Sequence, residues 1–226
     1  MATNGKYFKH VLSFSIFGIL FLWLIQGLLY WSDFDIHFLG IYPRKLTGTV
    51  GIISSGFVHQ NLIHLFSNTF PLLFLTIAIA YFYRPITQKL IPILYLLTGI
   101  LVWLFGREAY HIGASGLVYS MIGFLLISGF VRNDPQSLGI SLAFLFLYGG
   151  VLQGMFPDAV KGNVSWESHL LGAMVGGFCA YYYRNVKGPE LLLDNKEDSD
   201  ENGPDENNPT DFTGHGSYNY EYKSKD

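Results

Sequence analysis

The sequence predicts an all-α membrane protein, a bundle of six transmembrane helices with an interfacial first loop. Composition is the first observation behind this prediction, because 50% of the 226 residues are hydrophobic and only 14% are charged. A soluble domain carries about 25% charged residues. The second observation is a series of apolar runs, each near the roughly 17 to 25 residues that a helix needs to cross a bilayer.

The first predicted span covers residues 10–31 and follows a short basic N-terminus. Lys6 and Lys9 in front of an apolar stretch resemble the start of a secretory signal peptide. The stretch is longer than a signal peptide, however, and no small-residue cleavage site follows it. We therefore expect a retained first helix, with residues 1–9 as a cytoplasmic N-terminus.

The next segment, residues 32–60, is too interrupted by polar residues and glycines to cross a membrane. Its scattered apolar side chains predict that it lies in the membrane interface. They are Phe34, Ile36, Phe38, Leu39, Ile52 and Ile53.

Five further spans complete a membrane domain over residues 10–187. They cover residues 62–83, 89–105, 115–131, 137–156 and 166–183. Pro71 is expected to break the second span, whereas Pro92 falls in the first turn of the third, where proline is tolerated. Residues 188–226 are acidic and poor in aliphatic side chains, so we expect a disordered acidic tail in the cytoplasm.

Basic residues between the spans predict the orientation, because cytoplasmic loops carry an excess of Lys and Arg. With the N-terminus inside, the inner segments hold more basic residues than the outer ones. The inner ones are Lys6, Lys9, Arg84, Lys89, Arg132, Arg184 and Lys187, and the outer ones are Arg44, Lys45, Arg107 and Lys161. We therefore expect a multi-pass protein of a bacterial plasma (inner) membrane with both termini in the cytoplasm.

In this orientation the second, fourth and sixth spans all begin on the outer side, and each carries polar residues near that end. His64 and Asn68 share a face of the second span by their four-residue spacing. Ser115 begins the fourth span, and His169 lies in the first turn of the sixth. Ionisable residues inside a membrane are costly and usually face the bundle interior. We expect these four side chains to meet just below the outer surface.

Ser115 and His169 have the chemistry of a nucleophile and its base. Serine is a weak nucleophile until a neighbouring base accepts its proton, and histidine does so near neutral pH. Glu167 is expected at the rim of the sixth span, and no acid lies in the cores of the three spans. The sequence therefore predicts a dyad rather than a triad, with Tyr119 packed against the imidazole.

The tetrahedral oxyanion formed by attack on a carbonyl needs preorganised donors. Asn68 and His64 offer side-chain N–H groups, and the backbone N–H of Ser115 lies near the positive end of a helix dipole.

Small residues predict close contact between the fourth and sixth spans. Gly172 and Gly176 share the face of His169, and Gly116 and Gly123 reduce the side-chain volume on the fourth span. Glycines at this spacing allow membrane helices to approach closely.

Three motifs, in this order, resemble those of the rhomboid family of intramembrane serine proteases. They are His59-x-x-x-x-His64-x-x-x-Asn68, Gly113-Ala114-Ser115-Gly116-x-x-Tyr119 and His169-x-x-Gly172-x-x-x-Gly176. The resemblance covers residues 12–184.

The resemblance implies a six-helix bundle of rhomboid type with Ser115 as nucleophile, His169 as base, and His64 and Asn68 as oxyanion donors. The supporting residues are Gly113, Tyr119, Gly172 and Gly176. The implied substrate is a transmembrane helix that enters past the fifth span. The family often carries a Trp-Arg pair in its first loop, where this chain has Tyr42-Pro43-Arg44.

Two other classes of function fit part of this pattern. A rhomboid-like protein that binds membrane helices without cutting them would not need both Ser115 and His169. A small transporter usually has its site near the bilayer midplane, whereas these polar residues are shallow. We therefore favour a serine-type endopeptidase whose partners are transmembrane protein substrates and the lipid bilayer.

No cofactor, metal or nucleic-acid partner is expected. His59 and His64 are separated by a spacing that would put them on different helix faces, and the glutamate of His-Glu-x-x-His is absent. We expect His59 to support the loop before the second span and His111 to lie in the membrane interface. Cys179 has no second cysteine to pair with.

Overall fold

The structure, a computed structural model, describes residues 2–32, 35–133, 135–147, 155–156 and 165–186. Seven α-helices make up most of these residues. They are α1 (Ala2–Trp31), α2 (Gly51–Ser54), α3 (Leu62–Phe82), α4 (Thr87–Phe105), α5 (Ser115–Val131), α6 (Pro135–Leu147) and α7 (Trp166–Tyr182). Short 3₁₀ turns cover His37–Leu39, Leu46–Thr49 and Ser55–Phe57. The all-helical class predicted from the sequence is confirmed over the described ranges.

Three of the helical segments are long and apolar enough to cross a membrane. They are Lys6–Trp31, Leu62–Phe82 and Thr87–Phe105. Ser115–Val131 and Ser137–Phe146 are shorter apolar helices. The predicted end of the fifth span and the predicted tail fall largely or wholly outside the described residues, and so does Phe34 of the first loop.

Helix α3 is continuous through Pro71, so the prediction that this proline breaks the second span is wrong. Proline lacks the N–H that would bond to the carbonyl four residues earlier, and its ring crowds that carbonyl. Membrane helices tolerate this defect where neighbouring helices pack around it. Pro71 is buried, and the following Leu72 and Leu75 belong to the hydrophobic core, so packing holds the helix together.

Polar side chains fix where α3 and α7 begin. The Asn61 side chain accepts a hydrogen bond from the backbone N–H of His64, at 2.8 Å. Ser165 has the same role before α7, where its hydroxyl accepts from the N–H of Ser168. Such caps satisfy N–H groups that have no partner inside the helix. Both caps therefore set the first turns that carry His64 and His169.

Helix α5 packs most extensively against α7, at an interface of glycines. A Cβ atom added to Gly172 would lie 2.4 Å from the carbonyl oxygen of Gly116, and one added to Gly176 would lie 2.1 Å from that of Ser120. One added to Gly123 would lie 2.5 Å from the Ala173 carbonyl oxygen. Only hydrogen fits at these distances, so the glycines allow the two backbones to touch.

The segment between α1 and α3 folds back onto the C-terminal end of α4. Arg44 donates to the carbonyl oxygen of Gly106, with 2.7 Å from its Nη1 atom. The indole of Trp103 donates to the carbonyl of Lys45 at 2.9 Å. Ile41 and His111 exchange two backbone hydrogen bonds in an isolated antiparallel bridge. These contacts tie the first loop to the segment that leads into α5.

Apolar side chains also cover much of the outside of the protein. Several exposed ones lie on α1 and on the first loop: Phe14, Phe17, Leu20, Leu24, Leu28, Leu46, Val50 and Ile53. Soluble monomers rarely expose large contiguous apolar patches. The buried core lies instead between α3, α4, α5 and α7, with Leu75, Leu90 and Phe124 among its fully buried side chains.

Candidate active site

Ser115 and His169 lie side by side where α5 and α7 begin. The distance from the imidazole Nε2 of His169 to the hydroxyl Oγ of Ser115 is 2.8 Å, which is a hydrogen-bond distance. His169 is buried and Ser115 is half-buried. A hydroxyl that donates to an unprotonated imidazole nitrogen can lose its proton to that nitrogen when it attacks an electrophile.

Tyr119 lies one turn after Ser115 and stacks on His169. Their ring centroids are 4.0 Å apart and the two planes differ by 3°. Parallel stacking leaves the edge of the imidazole, and therefore Nε2, directed toward the serine. The contact restricts rotation of the imidazole about its Cβ–Cγ bond.

Gly113 shapes the turn that presents Ser115. Its φ of +106° is a conformation that other residues rarely adopt. A Cβ atom there would also lie 2.7 Å from the Cε1 atom of His64. The N–H of Gly113 donates to the carbonyl of Ser55 at 2.8 Å, which ties the turn to the first loop. Glycine is thus required both for the backbone conformation and for the approach of His64.

His59 supports this turn before α5, whereas the sequence predicted support of the loop before the second span. It is 0% exposed, and its Nε2 atom accepts the backbone N–H of Ala114 at 3.3 Å. Because Nε2 is the acceptor, the neutral ring carries its proton on Nδ1. Burial lowers the pKa of His59 to about 3, so the acceptor is preserved at neutral pH. Gln26 of α1 holds the backbone of His59 by two further bonds.

His64 and Asn68 lie on α3, next to this turn. The His64 ring contacts Gly113, and its centroid is 5.1 Å from that of His59. The expectation that their spacing separates the two histidines is therefore wrong, because His59 precedes the helix. Asn68 is buried and donates to the carbonyl of His64 at 3.2 Å. Its amide nitrogen has a second N–H for another acceptor.

Two polar residues near the site are buried inside the protein: His111 is 2% exposed and Glu167, in the first turn of α7, is 4% exposed. The position of His111 at the membrane interface stays a prediction. His111 bonds to Ser165, and Glu167 faces Arg107 at 3.4 Å. Sequence reasoning missed both contacts, since each joins residues far apart in the chain. The helix caps Asn61 and Ser165 could have been predicted from the sequence, because Asn and Ser are common before helices.

A small cavity lies behind the serine turn and has room for one water molecule. Its volume is about 20 Å³, above the minimum that a water molecule needs. Ser55, Tyr95, Thr98 and Ser168 contribute hydroxyl-bearing side chains to its wall. The Thr98 hydroxyl is buried without a protein partner. Across the described ranges, no group of three or more His, Cys, Asp or Glu side chains is arranged to hold a metal ion.

Comparison with known proteins agrees with these motifs. The family model described as Rhomboid domain matches residues 46–186. Uncharacterized proteins of Mycobacterium bovis and Mycobacterium tuberculosis are each 37% identical over 159 residues, which is 66% of this chain and 65% of theirs. An uncharacterized protein of Mycobacterium leprae is 39% identical over 150 residues, 63% of this chain and 59% of its own. The chain thus spans less than two thirds of the length of these relatives.

Proposed function

The chain belongs to the rhomboid family, and from this premise we propose that it is an intramembrane serine protease that cleaves transmembrane segments of membrane proteins. The observation that carries the proposal is the 2.8 Å distance between His169 Nε2 and Ser115 Oγ. A serine hydroxyl within hydrogen-bond distance of a base is the arrangement that nucleophilic hydrolysis of an amide requires. The long apolar helices agree with an integral membrane protein.

In the proposed reaction, Ser115 Oγ attacks the carbonyl carbon of the scissile bond while His169 Nε2 accepts its proton. The tetrahedral intermediate collapses when His169 returns that proton to the leaving amine. A water molecule then attacks the acyl ester and loses a proton to His169. His169 passes this proton to Ser115 Oγ as the ester C–O bond breaks, which releases the acid product and restores the hydroxyl. This sequence is the general scheme for serine acyl transfer.

His64 and Asn68, with the backbone N–H of Ser115, are the proposed donors to the oxyanion. The contact of His64 with Gly113, two residues before the serine, supports this role. The second N–H of Asn68 supplies the other side-chain donor. Donors fixed in advance stabilise the charge without reorganising during the reaction, which is the source of their catalytic effect.

Tyr119 is the proposed substitute for the acid of a triad. A stacked ring cannot polarise the imidazole as a carboxylate does, but it can hold the imidazole plane. Aromatic pairs contribute about 0.5–1.5 kcal/mol beyond their buried area. The stacking therefore supports a dyad in which orientation comes from packing.

We further propose the arrangement predicted from the sequence: six spans of rhomboid type, an interfacial first loop, and both termini in a bacterial cytoplasm. The bacterial origin of the relatives supports the plasma membrane as the location. Substrate helices would enter past the fifth span.

The test is cleavage of a panel of model transmembrane substrates by the purified protein in detergent and in proteoliposomes. We expect cleavage within the membrane segment, and labelling of Ser115 by a fluorophosphonate, with Ser115→Ala inactive and unlabelled. Equal labelling of wild type and Ser115→Ala would contradict the proposal. Binding of substrate helices without cleavage or labelling would favour the helix-binding alternative.

A further inference from the structure

A chain of polar contacts joins the segment before α5 to the first turn of α7. His111 Nδ1 bonds to the Ser165 hydroxyl, which in turn bonds to the Ser168 hydroxyl, each at 2.5 Å. His111 Nε2 lies 3.0 Å from the carbonyl oxygen of Arg107. We call these residues, His111, Ser165 and Ser168, the outer clasp.

The direction of the hydrogen bonds in the clasp follows from the carbonyl oxygen of Arg107, which can only accept. A carbonyl oxygen cannot donate, so His111 Nε2 must carry a proton and donate to Arg107. In the neutral imidazole Nδ1 is then an acceptor, and it receives the hydroxyl proton of Ser165. The oxygen of Ser165 is left to accept from Ser168. Burial lowers the pKa of His111, which keeps the ring neutral and the direction of the chain fixed.

A second tie joins the same two segments. Arg107 Nε lies 3.4 Å from a carboxylate oxygen of Glu167. Glu167 is buried, but the Arg107 side chain is 45% exposed and neither Glu167 oxygen makes a hydrogen bond within the described part of the chain, so the pair is only partly buried. The attraction keeps the two segments near each other, while the clasp with its short, directed bonds fixes their relative position.

The clasp and the dyad are parallel connections between the same elements. His111 precedes Ser115 by four residues, and Ser165 precedes His169 by four. The two pairs thus have the same separation of 54 residues along the chain. His111 is itself anchored, because its backbone exchanges two bonds with Ile41 at 2.9 Å. A shift of the α7 start relative to this anchor would move His169 relative to Ser115.

We propose that His111 is a positioning residue for the dyad: through Ser165 it sets the depth and rotation of the first turn of α7, and so the distance from His169 to Ser115. The inference rests on the proposed protease function. Positioning matters because a displacement of about 1 Å can lower a catalytic rate roughly a hundredfold. Binding of the substrate helix involves other surfaces and is left unchanged.

Three substitutions separate the bonds of His111. His111→Asn can keep an acceptor near Nδ1 for Ser165, His111→Gln can keep a donor near Nε2 for Arg107, and His111→Leu keeps neither. We expect kcat to fall by roughly ten- to a hundredfold in His111→Leu, by as much in His111→Gln, and by less in His111→Asn, with KM unchanged. Ser165→Ala should resemble His111→Leu.

The matched control is Trp23→Phe, which removes a different bond between helices. Trp23 donates to the hydroxyl of Thr69 at 3.1 Å and so joins α1 to α3, outside the contacts of α5 with α7. We expect it to lower the melting temperature without changing kcat. If it lowers kcat as much as His111→Leu does at equal loss of stability, the effect is structural and the inference is wrong. A wild-type kcat in His111→Leu would also overturn the inference. So would a kcat that is higher in His111→Gln than in His111→Asn.

An NMR measurement on protein with nitrogen-labelled histidine tests the inference without turnover. The His169 Nε2 signal reports its hydrogen bond to Ser115, and Ser115→Ala gives the reference for the broken bond. We expect His111→Leu to shift this signal toward that reference and His111→Asn to leave it near the wild-type position. An unchanged signal in His111→Leu would overturn the inference. Absence of wild-type cleavage with the shifts as expected would reject the protease function alone.

Discussion

At the scale of single residues, the site depends on which nitrogen of each histidine accepts a hydrogen bond. His169 and His59 both use Nε2, one toward the hydroxyl of Ser115 and the other toward the N–H of Ala114. His111 uses Nδ1, because its Nε2 donates to a carbonyl. The three histidine hydrogen bonds thus all involve the turn before α5 or the first turns of α5 and α7.

Replacing Asn68 with alanine tests the proposed oxyanion site. Loss of one oxyanion donor raises the barrier by up to roughly 4 kcal/mol, so we expect kcat to fall with KM little changed. Ser67→Ala is the matched control, because the Ser67 hydroxyl is exposed and bonds to the Ile63 carbonyl of its own helix. Steady-state cleavage of a model substrate measures both. Equal rates for wild type and Asn68→Ala would remove this amide from the site.

Acid should destabilise the protein through His59. Its pKa falls from an ordinary 6.5 to about 3 on folding, so between these values the unfolded chain binds a proton that the folded chain does not. Stability is present above pH 6.5 and is lost as the pH falls toward the folded pKa, by about 1.4 kcal/mol per pH unit from this residue.

Thermal unfolding in detergent at about pH 7 and about pH 5 measures this loss. The matched variant is His59→Gln, which can accept from Ala114 but does not titrate. We expect a smaller drop in melting temperature between the two conditions for the variant. An identical drop would show that His59 does not contribute.

The sequence predicted the identity of the candidate residues but not their supporting contacts. Ser115 and His169 stood out because polar groups are rare in apolar runs. The bonds from His59 to Ala114 and from His111 to Ser165 join residues 55 and 54 positions apart. Helical periodicity carries information over one or two turns, so contacts of this range could not be recovered from it.

At the scale of elements, the pairing of α5 with α7 is what brings the dyad together. The glycines at this interface were readable from their spacing, because small residues every four positions are a general signal for close helices. The continuity of α3 at Pro71 could not be predicted from the sequence. Local propensity disfavours proline within a helix, and only the packing around it reverses that preference.

Gly172→Ala should impair both stability and activity. The added Cβ atom would lie 2.4 Å from the Gly116 carbonyl oxygen, so α5 and α7 must move apart. Overpacking of this kind costs about 1–3 kcal/mol, and the movement would lengthen the bond from His169 to Ser115. Melting temperature and cleavage rate measure the two effects.

Gly177→Ala is the control on the same helix. Its added Cβ atom would lie 3.4 Å from the Ile127 side chain, an ordinary contact. Because alanine favours a helix by about 1 kcal/mol over glycine, we expect unchanged or higher stability and normal activity. If the two variants behave alike, close backbone packing is not what holds the dyad.

At the scale of the whole molecule, the orientation prediction can be tested with terminal fusions. We expect fluorescent protein at the C-terminus to fluoresce in a bacterial host and alkaline phosphatase there to be inactive, since both termini are proposed to be cytoplasmic. A C-terminal phosphatase that is active in the periplasm would invert the proposed topology. It would also place the start of α5 and α7 at the inner side of the membrane.

The proposed chemistry depends on His169 accepting the proton of Ser115. The most direct measurement is the cleavage rate of a model transmembrane substrate by purified His169→Ala in proteoliposomes, with insertion and thermal stability checked against wild type. Since removing the base of a serine protease lowers kcat by roughly a thousandfold or more, we expect no measurable cleavage. Wild-type cleavage by a folded His169→Ala protein would contradict the claim.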